Sequence, residues 1–276
     1  MGVAAGRKGG IVKNRSIFLV IAAGLIAGGM AWSLASSQTF GVRKRRPKPN
    51  EYGTEIIDNF SVKNGMAPVA FPHWVHRARY TCRLCHVDIG FAMTAGATGI
   101  TEEDNRHGMY CGTCHNGQIA FRWDEGTKNA PKKNCQRCHS VGLHVKMKND
   151  FYAFREKMPR QRFGNGIDWL KAEEEGLITL QDTLPGVSFD RPKLKNPADE
   201  ELVAREIDMP KIVFSHKKHA VEAGCELCHP EIFPIKKGAV TYSMQDIFDG
   251  KYCGACHGKV SFPNADCQRC HTEPVT

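Results

Sequence analysis

From Ile17 to Ala35 the chain runs without a charged residue, mostly through Ile, Leu, Val, Ala and Gly. As a helix rising about 1.5 Å per residue, such a run covers about 28 Å, enough for the hydrocarbon core of a bilayer. It predicts a transmembrane anchor over 17–37, behind an N-terminal segment at 1–16 and ahead of a basic linker at 38–65. The next clear local pattern lies in 140–208. This stretch holds Phe151, Tyr152, Phe154 and Trp169, a short helix expected near Asp168–Gly176, and prolines at 185, 192 and 197. It is too aromatic for a flexible linker. It reads as a strap packed across its neighbours, with a docking surface for another subunit as the second choice.

The formal charge of +9 suggests nucleic acid or a membrane surface until its distribution is read. Nine of the 38 basic residues lie within 1–50, which contain no Asp or Glu, so 29 basic residues face 29 acidic ones in the remainder. The surplus belongs to the N-terminus, and nucleic-acid binding is rejected.

Cysteine changes the picture most. Cys-x-x-Cys-His occurs six times: Cys82/Cys85/His86, Cys111/Cys114/His115, Cys135/Cys138/His139, Cys225/Cys228/His229, Cys253/Cys256/His257 and Cys267/Cys270/His271. Together they use all 12 cysteines. Two thiols at this spacing form thioethers to the vinyl groups of one haem, and the next residue places an imidazole beneath the iron. Disulfides are the rival in an exported protein, but they give no role to a His after every second Cys. Zinc sites need two pairs per ion and no trailing histidine. Thioredoxin-like chemistry needs one motif. Six covalent haems c are therefore expected, and their propionates make the loaded body acidic.

Haem c is attached outside the cytoplasmic membrane, so everything after the span is expected to be exported. The basic residues ahead of the span agree. Arg43 to Lys48, behind it, argue the other way; they either rest on lipid phosphates or are solvated linker charge. A signal peptide cleaved after Ser33-Leu34-Ala35 is the alternative, but the run exceeds a usual signal core. Beyond the span fewer than 40 residues are available per haem. The haems must pack on one another and serve as the core, so the expected fold is mostly irregular with short α-helices and little sheet.

The chain also repeats itself. Phe71-Pro72-His73-Trp74-Val75-His76 matches Phe214-Ser215-His216-Lys217-Lys218-His219 at an offset of 143, and Cys82 matches Cys225. Tyr110-Cys111-Gly112 matches Tyr252-Cys253-Gly254 at 142, and Asn134-Cys135-Gln136-Arg137 matches Asp266-Cys267-Gln268-Arg269 at 132. Two trihaem modules follow, at 66–139 and 209–276, joined by the strap at 140–208.

Phe-x-His-x-x-His ahead of three attachment motifs resembles the small trihaem members of the class III multihaem cytochromes of anaerobic bacteria. The resemblance covers both modules, roughly half the chain. It implies distal ligands: His73 for the haem of Cys82, His76 for that of Cys111, and His107, four before Cys111, for that of Cys135. In the second module His216 and His219 take the first two roles. The third fails, because Asp249 stands four before Cys253. Met244, nine before Cys253, is the preferred ligand for the sixth haem. His144 is second and an open iron third; core packing of Met244 and a solvent-facing His144 are the ordinary alternatives. The architecture is also similar to membrane-anchored multihaem subunits of alternative complex III and of the quinone reductase complex of sulfate reducers.

Irons closed on both sides leave no position for substrate. The expected function is therefore outer-sphere electron transfer between a quinol-linked membrane complex and soluble redox partners outside the cytoplasm, not catalysis. A soluble shuttle freed by signal cleavage and a reductase built on an open sixth haem are the alternatives.

Overall fold

The computed structural model describes Gly2 and residues 46–124, 134–145, 148–192, 194–202 and 209–273. The chain divides at Arg46/Pro47, and the account below concerns the second unit. The expected anchor at 17–37 and the segment 1–16, Gly2 apart, lie outside the described residues. Among the described residues no helix is long and apolar enough to cross a membrane.

Regular elements are short. β1 (Thr54–Ile57) pairs antiparallel with β2 (Val69–Pro72), with Thr54 opposite Pro72. β2 runs directly into α1 (His73–Arg77). Then follow a π-turn at Leu84–Asp88, α2 (Glu102–Arg106), α3 (Cys111–Cys114) and α4 (Cys135–Cys138). α5 (Phe151–Glu156) and α6 (Trp169–Glu174) lie between the modules. β3 (Glu200–Leu202) pairs antiparallel with β4 (Ile212–Phe214), which leads into α7 (His216–Ala223). α8 (Met244–Phe248), a 3-10 turn at Tyr252–Ala255 and α9 (Cys267–Cys270) complete the chain. The helix expected near Asp168–Gly176 is α6. The Asp168 carboxylate caps it by accepting from the Lys171 N–H, and Gly176, at φ 69°, follows its last turn.

The order hairpin, two-histidine helix, attachment turns therefore occurs twice. β1 falls in 38–65, the stretch expected as linker, and it supplies the first hairpin with its outer strand. Each module closes on its own start. The His139 Nδ1 donates to the Ala67 carbonyl at 2.7 Å, and the His271 Nδ1 to the Pro210 carbonyl at 2.6 Å. The last haem motif is thus tied to the strand entering the two-histidine helix.

The apolar core lies elsewhere. Phe151, Met158, Ile167, Trp169, Ala172 and Ile178 are buried together with Trp74 of the first module, against which Val75 and Ala78 also pack. The 148–192 segment also ties the modules by charge. Arg83 pairs with Asp182 at 2.5 Å, and Thr81 donates to the same carboxylate at 2.8 Å. Arg191 reaches the fully buried Asp88 at 2.6 Å on one side and Glu226 of the second module at 2.8 Å on the other. Arg269 pairs with Asp168 at 2.6 Å. Such a network specifies register more than it stabilises, yet stripping one partner from a buried pair typically costs about 3–5 kcal/mol.

Candidate haem sites

None of the twelve cysteines is paired with another in a disulfide. Among the described residues no group of three or more His, Cys, Asp or Glu is arranged to hold a metal ion. One helical turn at the attachment motifs puts residues i and i+3 on one face, so both thiols of α3, α4 and α9 point to the same side. The turn is closed by the backbone N–H of the motif histidine. His115 donates to the Cys111 carbonyl at 2.8 Å, His139 to Cys135 at 2.8 Å, His229 to Cys225 at 3.0 Å, His257 to Cys253 at 3.0 Å and His271 to Cys267 at 2.9 Å.

The histidine rings share a second feature. A carbonyl oxygen only accepts, so a ring nitrogen bonded to one carries the proton, and the other nitrogen keeps its lone pair for a metal. The six motif histidines all have Nδ1 on a carbonyl: His86 on Phe91, His115 on Phe121, His139 on Ala67, His229 on Phe233, His257 on Phe262 and His271 on Pro210. The five candidate distal histidines do the same: His73 on Gly53, His76 on Pro72, His107 on Glu103, His216 on Ala198 and His219 on Ser215. Eleven imidazoles thus present Nε2 as a ligand. His144, exposed at the start of the strap, has no such bond among the described residues.

The rings come together in pairs. Phe71 stacks on His76 at 4.4 Å and meets His73 edge-on at 4.9 Å; Phe214 stacks on His219 at 4.5 Å and meets His216 edge-on at 4.9 Å. The aromatic residue ending each hairpin therefore aims the two histidines that follow it. His76 and His115 have centroids 6.4 Å apart, and His219 and His257 6.2 Å. Two imidazoles joined through Nε2 to one ion at about 2 Å each would have centroids about 6 Å apart. His86 lies close enough to His73 for its charge to lower the His73 pKa.

Phe71, His73, His76, His86 and His115 line one cavity of about 2130 Å³, bounded by all three motifs of the first module and by His219, Cys256 and His257 of the second. It exceeds the ~300–1,000 Å³ of an ordinary small-molecule site. Burial pushes the Cys82, Cys85 and Cys111 thiols up to about 12 and those of Cys253 and Cys256 up to about 11. Burial also holds His73, His76 and His257 down to about 4, in the neutral form that ligates. Paired free thiols, neutral imidazoles with free Nε2 and a large apolar cavity fit haem c.

The second motif is preceded by the same capped helix and the same left-handed tyrosine in both modules. Thr101 opens α2 with a capping box to Asp104, and Ser243 opens α8 with one to Asp246. Tyr110 and Tyr252 have φ of 48° and 51°. A Cβ on Gly112 would overlap the Asn105 carbonyl oxygen, and one on Gly254 the Ile247 carbonyl oxygen. Gly112→Ala and Gly254→Ala are each expected to destabilise by about 1–3 kcal/mol, because backbone must move. Haem count and thermal unfolding of the purified variants check this; unchanged melting with six haems in both would refute it.

The equivalence of α2 and α8 locates the odd position. His107 is the residue after α2, 63% exposed at its side chain, and Asp249 is the residue after α8. The Asp249 carboxylate accepts from the Gln245 amide at 2.8 Å. Met244 begins α8, at the opposite end of the helix from Asp249, and is 38% exposed. Arg77 and Glu222, which sequence reading passed over, reach the same cavity. They stand at non-equivalent positions of the two modules, so the repeat carried no signal for them.

Six attachment turns with matching imidazoles define a multihaem c-type cytochrome, a carrier of electrons. The family described as cytochrome c7 and related cytochrome c matches residues 69–140 and again 212–272. The chain belongs to that family, through a duplicated trihaem module. Similar solved structures include a c7-type three-haem cytochrome domain, 37% identical over 28% of this chain and 95% of that one, TM-score 0.26. The C-terminal hexahaem fragment of a dodecahaem cytochrome c is 26% identical over 83% of this chain and 99% of that one, TM-score 0.26. The dodecahaem protein itself is 20% identical over 79% of this chain and 73% of that one, TM-score 0.25. No curated protein matches.

Proposed function

We propose that the chain is a haem wire anchored by 17–37 in the cytoplasmic membrane, passing electrons between a quinol-linked membrane complex and redox proteins on the exported side. The observation carrying this reading is the orientation of eleven imidazoles with Nε2 free. That number supplies two axial nitrogens to five irons and one to the sixth. An iron so closed exchanges electrons and binds no substrate.

In this reading His73 and His86 hold the haem of Cys82 and Cys85, His76 and His115 that of Cys111 and Cys114, and His107 and His139 that of Cys135 and Cys138. His216 with His229, and His219 with His257, serve the next two. Met244 completes the sixth, opposite His271. A thioether ligand raises the potential of that haem above the others and makes it an electron sink or exit.

The test is purification from membranes, with intact mass and identification of co-purifying subunits. Retention of 17–37 and a quinol-linked partner are expected. A soluble protein cut after Ala35 overturns the anchor. A reductase at the sixth haem is the second reading, favoured by Asp249 standing where His107 stands in the first module. It requires high-spin iron that binds cyanide or carbon monoxide; a wholly low-spin spectrum that neither ligand perturbs removes it.

A further inference from the structure

Among the described residues one ion pair joins the two haem-bearing modules directly. Arg77 ends α1, the helix with His73 and His76. Glu222 lies near the end of α7, the helix with His216 and His219. Their side chains pair at 3.4 Å, each only 19% exposed. Arg77 also donates to the Val260 carbonyl at 3.3 Å, and its guanidinium stands 5.1 Å from the centroid of the Trp169 ring. The other oxygen of Glu222 lies 3.6 Å from the Cys82 sulfur.

The pair does not arise from the duplication. At the offset of 143, Arg77 corresponds to Ala220 and Glu222 to Arg79. One module offers a cation and the other an anion at positions the repeat does not equate. The charges sit between two attachment sites in particular. Arg77 acts electrostatically on His73 and Cys82 of the first module and on Cys256 and His257 of the second. Glu222 acts on Cys82 and Cys256, and Cys256 acts on Cys82. The shared cavity runs through this place.

We propose that Arg77 and Glu222 form the electrical junction between the modules, setting the driving force for an electron passing between the haems bonded at Cys82/Cys85 and at Cys253/Cys256. One electron leaves ferrous iron on one side, making it ferric, and reduces ferric iron on the other; no bond or proton moves. A carboxylate beside a haem favours the ferric form, which carries one more positive charge, and a guanidinium disfavours it. Together the two charges nearly cancel at long range while differing at short range, so each module feels its own neighbour. Both are positioning residues: neither touches iron in this assignment.

The proposal rests on the six-haem electron-carrier reading, and the two fail separately. Potentiometric titration of the full haem-loaded chain, with single haems resolved by the NMR signals of their methyl groups, reads the potentials. Glu222→Gln is expected to raise the potential of the haem at Cys82/Cys85 more than that of its neighbour, and Arg77→Gln to lower that of the haem at Cys253/Cys256 more, so that each variant changes the difference between the two. Each shift is about tenfold in the one-electron equilibrium constant, about 59 mV. The double variant returns close to the parent. A purely structural role would move both single variants in the same direction, and that result overturns the proposal, as do six unmoved potentials or shifts confined to other haems. Should Arg77→Gln fail to retain six haems, Glu222→Asp, which keeps the charge, must preserve the parental potentials that Glu222→Gln raises. Far fewer than six haems in the parent would defeat the electron-carrier reading itself.

Discussion

Produced without haem attachment, the chain is expected to show no cooperative unfolding transition and to be digested by protease like an unfolded polypeptide. The reason is where its apolar side chains lie. Among the described residues of the two modules, the buried hydrophobic side chains are Trp74, Leu84, Leu227 and Ile247. A domain of about 70 residues gains at most a few kcal/mol from a good apolar core, and natural domains of that size with less add disulfides or metals. Here no cysteine pairs with another as a disulfide, so thioether bonds and axial imidazoles must supply the missing constraint. In the proposed assignment four of the six haems join a two-histidine helix to an attachment turn further along the chain, which would close a loop of the kind a disulfide closes. Calorimetry and limited proteolysis of protein made in a host unable to attach haem check the expectation. A cooperative transition matching the haem-loaded protein would contradict it.

The same sparseness explains which parts of the molecule can be read from residues alone. The six attachment motifs are local in sequence and chemically specific, so spacing is enough. The repeat is legible because Phe71 and Phe214 must both aim two histidines, and Gly112 and Gly254 must both admit a carbonyl. α6 is legible because Asp168 caps it and Gly176 ends it. β1 is not: Thr54–Ile57 is four residues long, too short for an alternation to stand out, and pairs across a gap with Val69–Pro72. Nor is the membership of the core: the aromatics of 140–208 mark a packed strap, but nothing in the residues names Trp74 as the side chain that 151–178 pack against. The Arg77–Glu222 and Asp88–Arg191–Glu226 contacts join residues 35 to 145 positions apart with no motif between them. Charged residues at such spacing are ordinarily solvated, and only the packing of one module on another makes these different.

Trp74→Ala is expected to destabilise the chain by about 3–5 kcal/mol, the usual effect of removing a buried aromatic side chain. Trp74 is 8% exposed, lies 5.3 Å edge-on from Phe151 and 5.5 Å from Phe154, and connects the haem modules to the only buried apolar cluster described. Its place on α1 gives the helix two tasks. His73 and His76, three residues apart, share one face, while Trp74 between them turns toward α5 and α6. Loss of the indole should therefore loosen 148–192 from the first module, with the six haems retained and their low-spin spectrum intact. A fall in melting temperature on the order of 10 °C is expected for a chain of this length. The repeat supplies the control. Lys217, the residue matching Trp74 in the second module, is exposed, and Lys217→Ala should stay within about 0.5 kcal/mol of the parent. If Trp74→Ala melted like Lys217→Ala, the cluster at 151–178 would not be what holds the strap to the haem modules.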